Sequence, residues 1–156
     1  MPRRKRPEKR EILPEYEYGS VLAHKFINCL MKDGKKGLAQ RIFYETLKTI
    51  EKKTGKPGID IFNQAIENVK PMVEVKPRRI GGATYQVPME VRKERRISLA
   101  IRWMLDAAKT AQGRPMHDKL VDEIIAASKR EGNAIKKKED THRMAEANRV
   151  FAQFKW

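Results

Sequence analysis

The chain has 156 residues, with 35 Lys+Arg against 20 Asp+Glu, a formal net charge of +15. At 40% hydrophobic residues it can build a core, so it is not a disordered polycation, and no stretch approaches the roughly 18 apolar residues of a membrane-spanning helix. A large positive excess on a folded domain points to a polyanion, nucleic acid above all, and no membrane partner is expected.

Residues 1–19 read as a basic tail. Pro2, Pro7 and Pro14 oppose a helix, and Arg3, Arg4, Lys5, Arg6, Lys9 and Arg10 stand against Glu8, a net +5 over ten residues. There is no apolar stretch of the kind a secretory signal carries. Such a segment is either a solvated tail or an arm that orders on RNA.

Ser20 is placed to cap a first helix. Leu22, Phe26, Cys29 and Leu30 then recur at helical spacing, which assigns Cys29 to the core. As the chain's one cysteine it builds no intrachain disulfide, in keeping with a reducing cytosol. A lysine-rich turn follows with Lys32, Lys35 and Lys36. The second helix carries Ala39, Phe43, Leu47 and Ile50 on one stripe and stops at Gly55. A third runs from about Ile59, with Phe62, Ala65, Ile66 and Val69 inward, until Pro71 blocks it.

"VEVKPRRIGGATYQVPMEV" (73–91) reads as two extended arms joined at Gly81-Gly82, where glycine supplies the positive φ of a primed turn. Each arm reaches about 30 Å. Pro77 and Pro88 cannot donate ladder bonds, so the ribbon is not buried on both edges. Val73, Val75, Val87 and Met89 suit packing at its base. Lys76, Arg78, Arg79 and Tyr85 lie nearer the tip, where cations and an aromatic suit phosphate contact and base stacking. A charged ribbon that merely resists edge aggregation is the plainer alternative.

A fourth helix spans about 91–111, with Ile97, Ile101, Met104, Leu105 and Ala108 on one face and Arg92, Arg95, Arg96, Arg102 and Trp103 roughly opposite. Trp103 either stacks on RNA or packs under another element. Leu99 on the same side favours packing. Arg114 and Pro115 mark a break, and Pro115 suits a helix start. The fifth helix buries Leu120, Val121, Ile124 and Ile125, while Asp118, Asp122 and Glu123 read as an exposed face. The last helix opens on Lys136, Lys137 and Lys138 and sets Met144, Ala147, Phe151 and Phe154 on one side. Cations in a helix's first turn oppose its dipole, a cost that bound phosphate offsets.

The chain is therefore expected to be mainly α: one domain (20–156) of about six helices, with a projecting two-stranded β-hairpin at about 72–91 between helices three and four. His24, His117 and His142 have no metal-ligand spacing with Cys29, and there is no Walker loop or dinucleotide fingerprint. No catalytic residue, metal or cofactor is expected.

"ENVKPMVEVKPRRIGGATYQVPMEV" (67–91), "SLAIRWM" (98–104), "IKKKEDTHRMAEANRVFAQFKW" (135–156), "RRKR" at the start and "DGKK" (33–36) resemble the bacterial small-subunit ribosomal protein seven family. The likeness covers essentially the whole chain. Val150 and Gln153 stand where that family more often has alanine and histidine. The resemblance implies a structural constituent of the 30S subunit that binds the 3′ major domain of 16S ribosomal RNA and nucleates the head. The RNA-facing set would be Arg3, Arg4, Lys5, Arg6, Arg10, Lys32, Lys35, Lys36, Lys76, Arg92, Arg95, Arg96, Arg102, Arg114, Lys136, Lys137 and Lys138. It further implies that Arg78, Arg79, Gly81, Gly82 and Tyr85 of the hairpin lie near exit-site tRNA and mRNA, with small-subunit proteins nine and eleven as neighbours. A histone-like DNA-bending protein also pairs helices with a basic β-arm, but such arms carry an apolar wedge at the tip. An RNA-modifying enzyme would need a nucleophile, metal site or cofactor loop.

Overall fold

The computed structural model describes residues 11–154. Six α-helices appear in the expected order: α1 (Val21–Leu30), α2 (Lys36–Thr54), α3 (Gly58–Val69), α4 (Lys93–Thr110), α5 (Met116–Ser128) and α6 (Asn133–Ala147). The hairpin β1 (Val73–Ile80) and β2 (Ala83–Glu90) stands between α3 and α4, and a 3₁₀ turn (Arg149–Phe154) follows α6. Ser20 caps α1, its Oγ accepting the Ala23 N–H at 3.3 Å. Gly55 ends α2 in the left-handed region at φ 67°.

The core is built around three phenylalanines that are 0% exposed. Phe62 meets Phe26 and Phe43 edge-on, with centroids 5.1 and 5.3 Å apart. The stripes expected on α2 and α3 are buried as expected. On α5, Leu120, Val121 and Ile124 are buried and Ile125 is half-buried. Gly58 opens α3 because a Cβ there would lie 2.4 Å from the Leu47 carbonyl oxygen, so glycine permits the close approach of α2 and α3. Trp103 is half-buried and packs against the core, and Leu99 beside it is buried, so α4 is covered on more than one side.

Four expectations are corrected. Cys29 is exposed; α1 instead buries Ala23, Phe26 and Ile27, one step round the helix, and Cys29 lines a cleft of about 940 Å³ between α1 and α4. Glu123 is buried, because its carboxylate accepts the Ala134 N–H at 2.8 Å and caps the first turn of α6. Residues 15–19 are not loose tail but a turn held against α2, through a bond from the Tyr44 hydroxyl to Glu15. The last stripe also breaks: Asn148 donates from Nδ2 to the Met144 carbonyl at 2.8 Å and ends α6, leaving Met144 exposed and sending Phe151 and Phe154 elsewhere.

Candidate nucleic-acid interface

The two strands pair antiparallel, with Glu74 opposite Met89, Lys76 opposite Val87, Arg78 opposite Tyr85 and Ile80 opposite Ala83. Directly opposed residues share a face, so these eight side chains form one face of the ribbon. Val87 and Glu74 on it are buried. The 3₁₀ turn lies along it, with the Phe151 and Phe154 rings 5.1 and 6.0 Å from that of Tyr85. Tyr85, expected to stand free near the tip, is thus half-buried in an aromatic cluster, and Arg78 beside it is also half-buried. The opposite face presents Pro77, Arg79, Thr84 and Gln86 to solvent. Gly81 and Gly82 close the tip at φ 57° and 90°, both positive as a primed turn requires.

A latch of charges fixes the hairpin's base. The Arg95 Nε donates to both Glu74 oxygens at 2.9 Å, and Lys76 Nζ approaches at 3.4 Å. Burial on its own would raise the Glu74 pKa, but the bonds and charges of Arg95 and Lys76 outweigh it and hold the carboxyl below its usual range. Arg96 donates to the Val91 carbonyl at 2.7 Å and to Glu90 at 2.9 Å. The Val91 N–H donates to the Met72 carbonyl at 3.0 Å, closing the ladder. The Met72 N–H in turn donates to His142 Nε2 on α6 at 3.0 Å. Burial, and then the Lys138 charge, keep His142 below the ordinary imidazole pKa, so the ring stays a neutral acceptor.

The expected RNA-facing cations therefore divide. Arg92, at the N-cap of α4, and Arg102 on its flank are exposed, as are Lys136 and Lys137 on α6 and Lys32 and Lys35 in the α1–α2 turn. Arg95 and Lys76, themselves exposed, hold the buried Glu74, and Arg96 pairs with the exposed Glu90. Lys36 donates to His24 at 3.0 Å. Lys138 turns inward and donates to the Asn68 carbonyl at 2.5 Å, at the C-terminal end of α3 where a cation suits the dipole. Its spacing carried a signal for this, since Lys138 shares a helical stripe with buried Ala134, Ile135 and Ala145. Arg114 pairs with Asp122 at 2.6 Å. It sits past the far end of α4, whose 18 residues span about 27 Å, so it belongs to a different surface from Arg92. Arg3, Arg4, Lys5, Arg6 and Arg10 lie outside the described residues.

What the fold brings together is α4, the base of the hairpin and α6: α6 contacts α4 and both strands, and Arg95 and Arg96 of α4 pair with Glu74 and Glu90. Among the described residues, no cluster of His, Cys, Asp or Glu could hold a metal, and no helix is long and apolar enough to cross a membrane.

A family model described as "Ribosomal protein S7p/S5e" matches residues 2–149. The small ribosomal subunit protein uS7 of Thermotoga maritima is 58% identical over 154 residues, covering 99% of each chain. Those of Gemmatimonas aurantiaca and Bordetella pertussis are each 54% identical over 156 residues, covering 100% of each chain.

Proposed function

The chain belongs to the ribosomal protein S7p/S5e family, and from that premise we propose that it binds the 3′ major domain of 16S ribosomal RNA directly and nucleates the head of the small subunit. Its work is structural and non-catalytic, as a component of the bacterial small subunit. The observation that carries the RNA reading is the exposed set Arg92, Arg102, Lys136 and Lys137, on elements that meet at the hairpin's base in a chain of net charge +15. Exposed cations on a rigid frame meet phosphates without first breaking internal bonds. Arg95 and Arg96 contribute by fixing that frame.

The hairpin's solvent face, with Arg79 and the Gly81-Gly82 tip, is the side that would meet exit-site tRNA and mRNA. Contact with small-subunit proteins nine and eleven is supported by the resemblance of the sequence. The exposed apolar side chains Met72, Met144 and Val150 are of the kind a protein partner covers.

Filter binding of a 16S head fragment, competed with duplex DNA at matched salt, tests the reading. About 6–10 phosphate contacts should lose roughly 10³–10⁵ in affinity between 50 and 200 mM salt. A nearly flat salt dependence, or equal affinity for duplex DNA, would sink it. Deleting 78–85 and closing the strands with a short turn should leave rRNA affinity largely intact. Tyr85→Ala serves as the control for the uncovered Phe151 and Phe154. If the deletion abolishes head assembly in a folded protein, the hairpin's assignment to tRNA and mRNA is wrong.

A further inference from the structure

The hairpin joins the body through Lys70, Pro71 and Met72, between the end of α3 at Val69 and the start of β1 at Val73. The Met72 amide is the first N–H after Pro71, whose own nitrogen carries none. The Met72 carbonyl accepts the Val91 N–H at 3.0 Å, so the return strand closes on the same residue. Whatever holds Met72 therefore sets where both strands leave the body.

What holds it is α6. Lys138 and His142 stand about 6 Å apart along that helix, on the stripe that also buries Ala134, Ile135 and Ala145. Lys138 donates to the Asn68 carbonyl, and His142 accepts the Met72 N–H at 3.0 Å, so two side chains one turn apart grip both ends of the join. The Asn68 end is also fixed to the core, its Nδ2 donating to the Ala127 and Ser128 carbonyls at 3.0 and 2.9 Å. The Met72 side chain is exposed and meets Arg96 through its thioether at 3.8 Å, a weak acceptor, so the backbone bond to His142 is the firmer hold. Nearer the tip, the 3₁₀ turn that follows α6 lays Phe151 and Phe154 on Tyr85. One helix and its extension thus meet the ribbon at its root and again along its length. Lys136 and Lys137 of the same helix face solvent.

We propose that His142 is a positioning residue that couples α6 to the hairpin: it makes helix and ribbon one unit, so that phosphate held at Lys136 and Lys137 also sets the direction of the arm. The inference rests on the RNA-binding reading above. Ordering one side of such a unit orders the other, and the observable is strand protection.

Hydrogen exchange tests it in the full chain, His142→Ala, His142→Gln and the double variant Lys136→Ala/Lys137→Ala, each free and saturated with the 16S head fragment. In the free protein His142→Ala should speed exchange at β1 and β2 roughly 2- to 10-fold, the worth of one net hydrogen bond, with α2 and α3 unchanged. His142→Gln, whose side-chain oxygen can accept the same N–H, should restore most of that protection, which lost packing alone would not predict. In the saturated full chain the strands should slow further. That added slowing should be lost in His142→Ala and in the double lysine variant.

Free strands that exchange alike in the full chain and His142→Ala would overturn the proposal, and so would an acceleration shared by α2 and α3. Equal slowing by the fragment in all four proteins would also overturn it, since RNA would then act on the ribbon without α6. A fragment that binds with a flat salt dependence would break the RNA reading, and with it the phosphate half of the proposal, while the free proteins still decide whether His142 holds the arm.

Discussion

The helical body and the hairpin are held by different forces. The body places Phe26, Phe43, Phe62, Leu47, Ile66 and Leu120 fully out of water, each contributing about 1.5–3 kcal/mol of non-directional stabilisation. The hairpin has two strands of eight residues and buries only Val87 and Glu74 among them. Such a ribbon is marginal alone. Its pose comes from the Glu74–Arg95 and Glu90–Arg96 pairs and from Tyr85 against Phe151 and Phe154. Apolar burial resists changes of charge and pH, whereas a latch of ion pairs depends on both. A protein that must bind a polyanion thus keeps its frame indifferent to charge and leaves the arm's orientation to charge.

The sharpest way to break this contrast is Phe62→Ala. It removes the ring that meets both other core phenylalanines and should cost about 3–5 kcal/mol of stability by urea unfolding. A cost below about 1 kcal/mol would mean that the body is not held by this core.

Trp103→Ala comes next. The side chain is only half-buried, so the loss should be nearer 2 kcal/mol, with rRNA affinity unchanged once the protein is folded. Weakened RNA binding at an unchanged melting temperature would move Trp103 to the RNA surface.

Glu74→Gln tests the arm. The Arg95 side chain is half-exposed at 50%, so solvent screens the pair, and the cost should be about 1–2 kcal/mol. Hydrogen exchange should show the loss in the strand amides of β1 and β2 while those of α2 and α3 stay protected. Uniform acceleration across the body would erase the distinction between the two regions. Acid should act the same way. A carboxyl held below its ordinary value of 4.5 contributes stability that is fully present above that pH and is lost as pH falls through the folded value. Strand exchange in the parent should therefore rise in acid, and Glu74→Gln should flatten that rise.

The smallest effect belongs to His142. Its folded pKa lies below the ordinary 6.5, so the unfolded chain takes up a proton first. Its contribution is complete above pH 6.5 and declines as pH falls towards the folded value. His142→Gln should remove that shallow slope at the Met72 amide. A slope that survives the substitution would assign it to another group.

Much of this was legible in the chain itself. Periodicity found all six helices, the inward stripes of α2 and α3 and most of that of α5, and the Gly81-Gly82 turn between two arms, because helical and strand repeats report which side meets the core. Composition and net charge set the class of partner, and Ser20 announced the start of α1. What the sequence did not show shares a cause. Cys29 sat on a plausible stripe that α1 rotates away from the core. Glu123 read as surface and is a buried cap. Lys138 read as an RNA cation and closes α3. Arg95 and Arg96 read as one basic run with Arg92, yet they pair with Glu74 and Glu90 of the hairpin. Tyr85 read as a free stacking ring and is covered by the 3₁₀ turn. In each case the sequence specified the residue's chemistry and its side of the element. Its partner came from another part of the chain: Glu74 and Arg95 are 21 residues apart, and Asn68 and Lys138 are 70. Local repeats report nothing about such pairs. Only the packing of α4, α6 and the hairpin against one another decided which cations are engaged with groups of the protein itself, such as Arg95 on Glu74 and Lys138 on the Asn68 carbonyl.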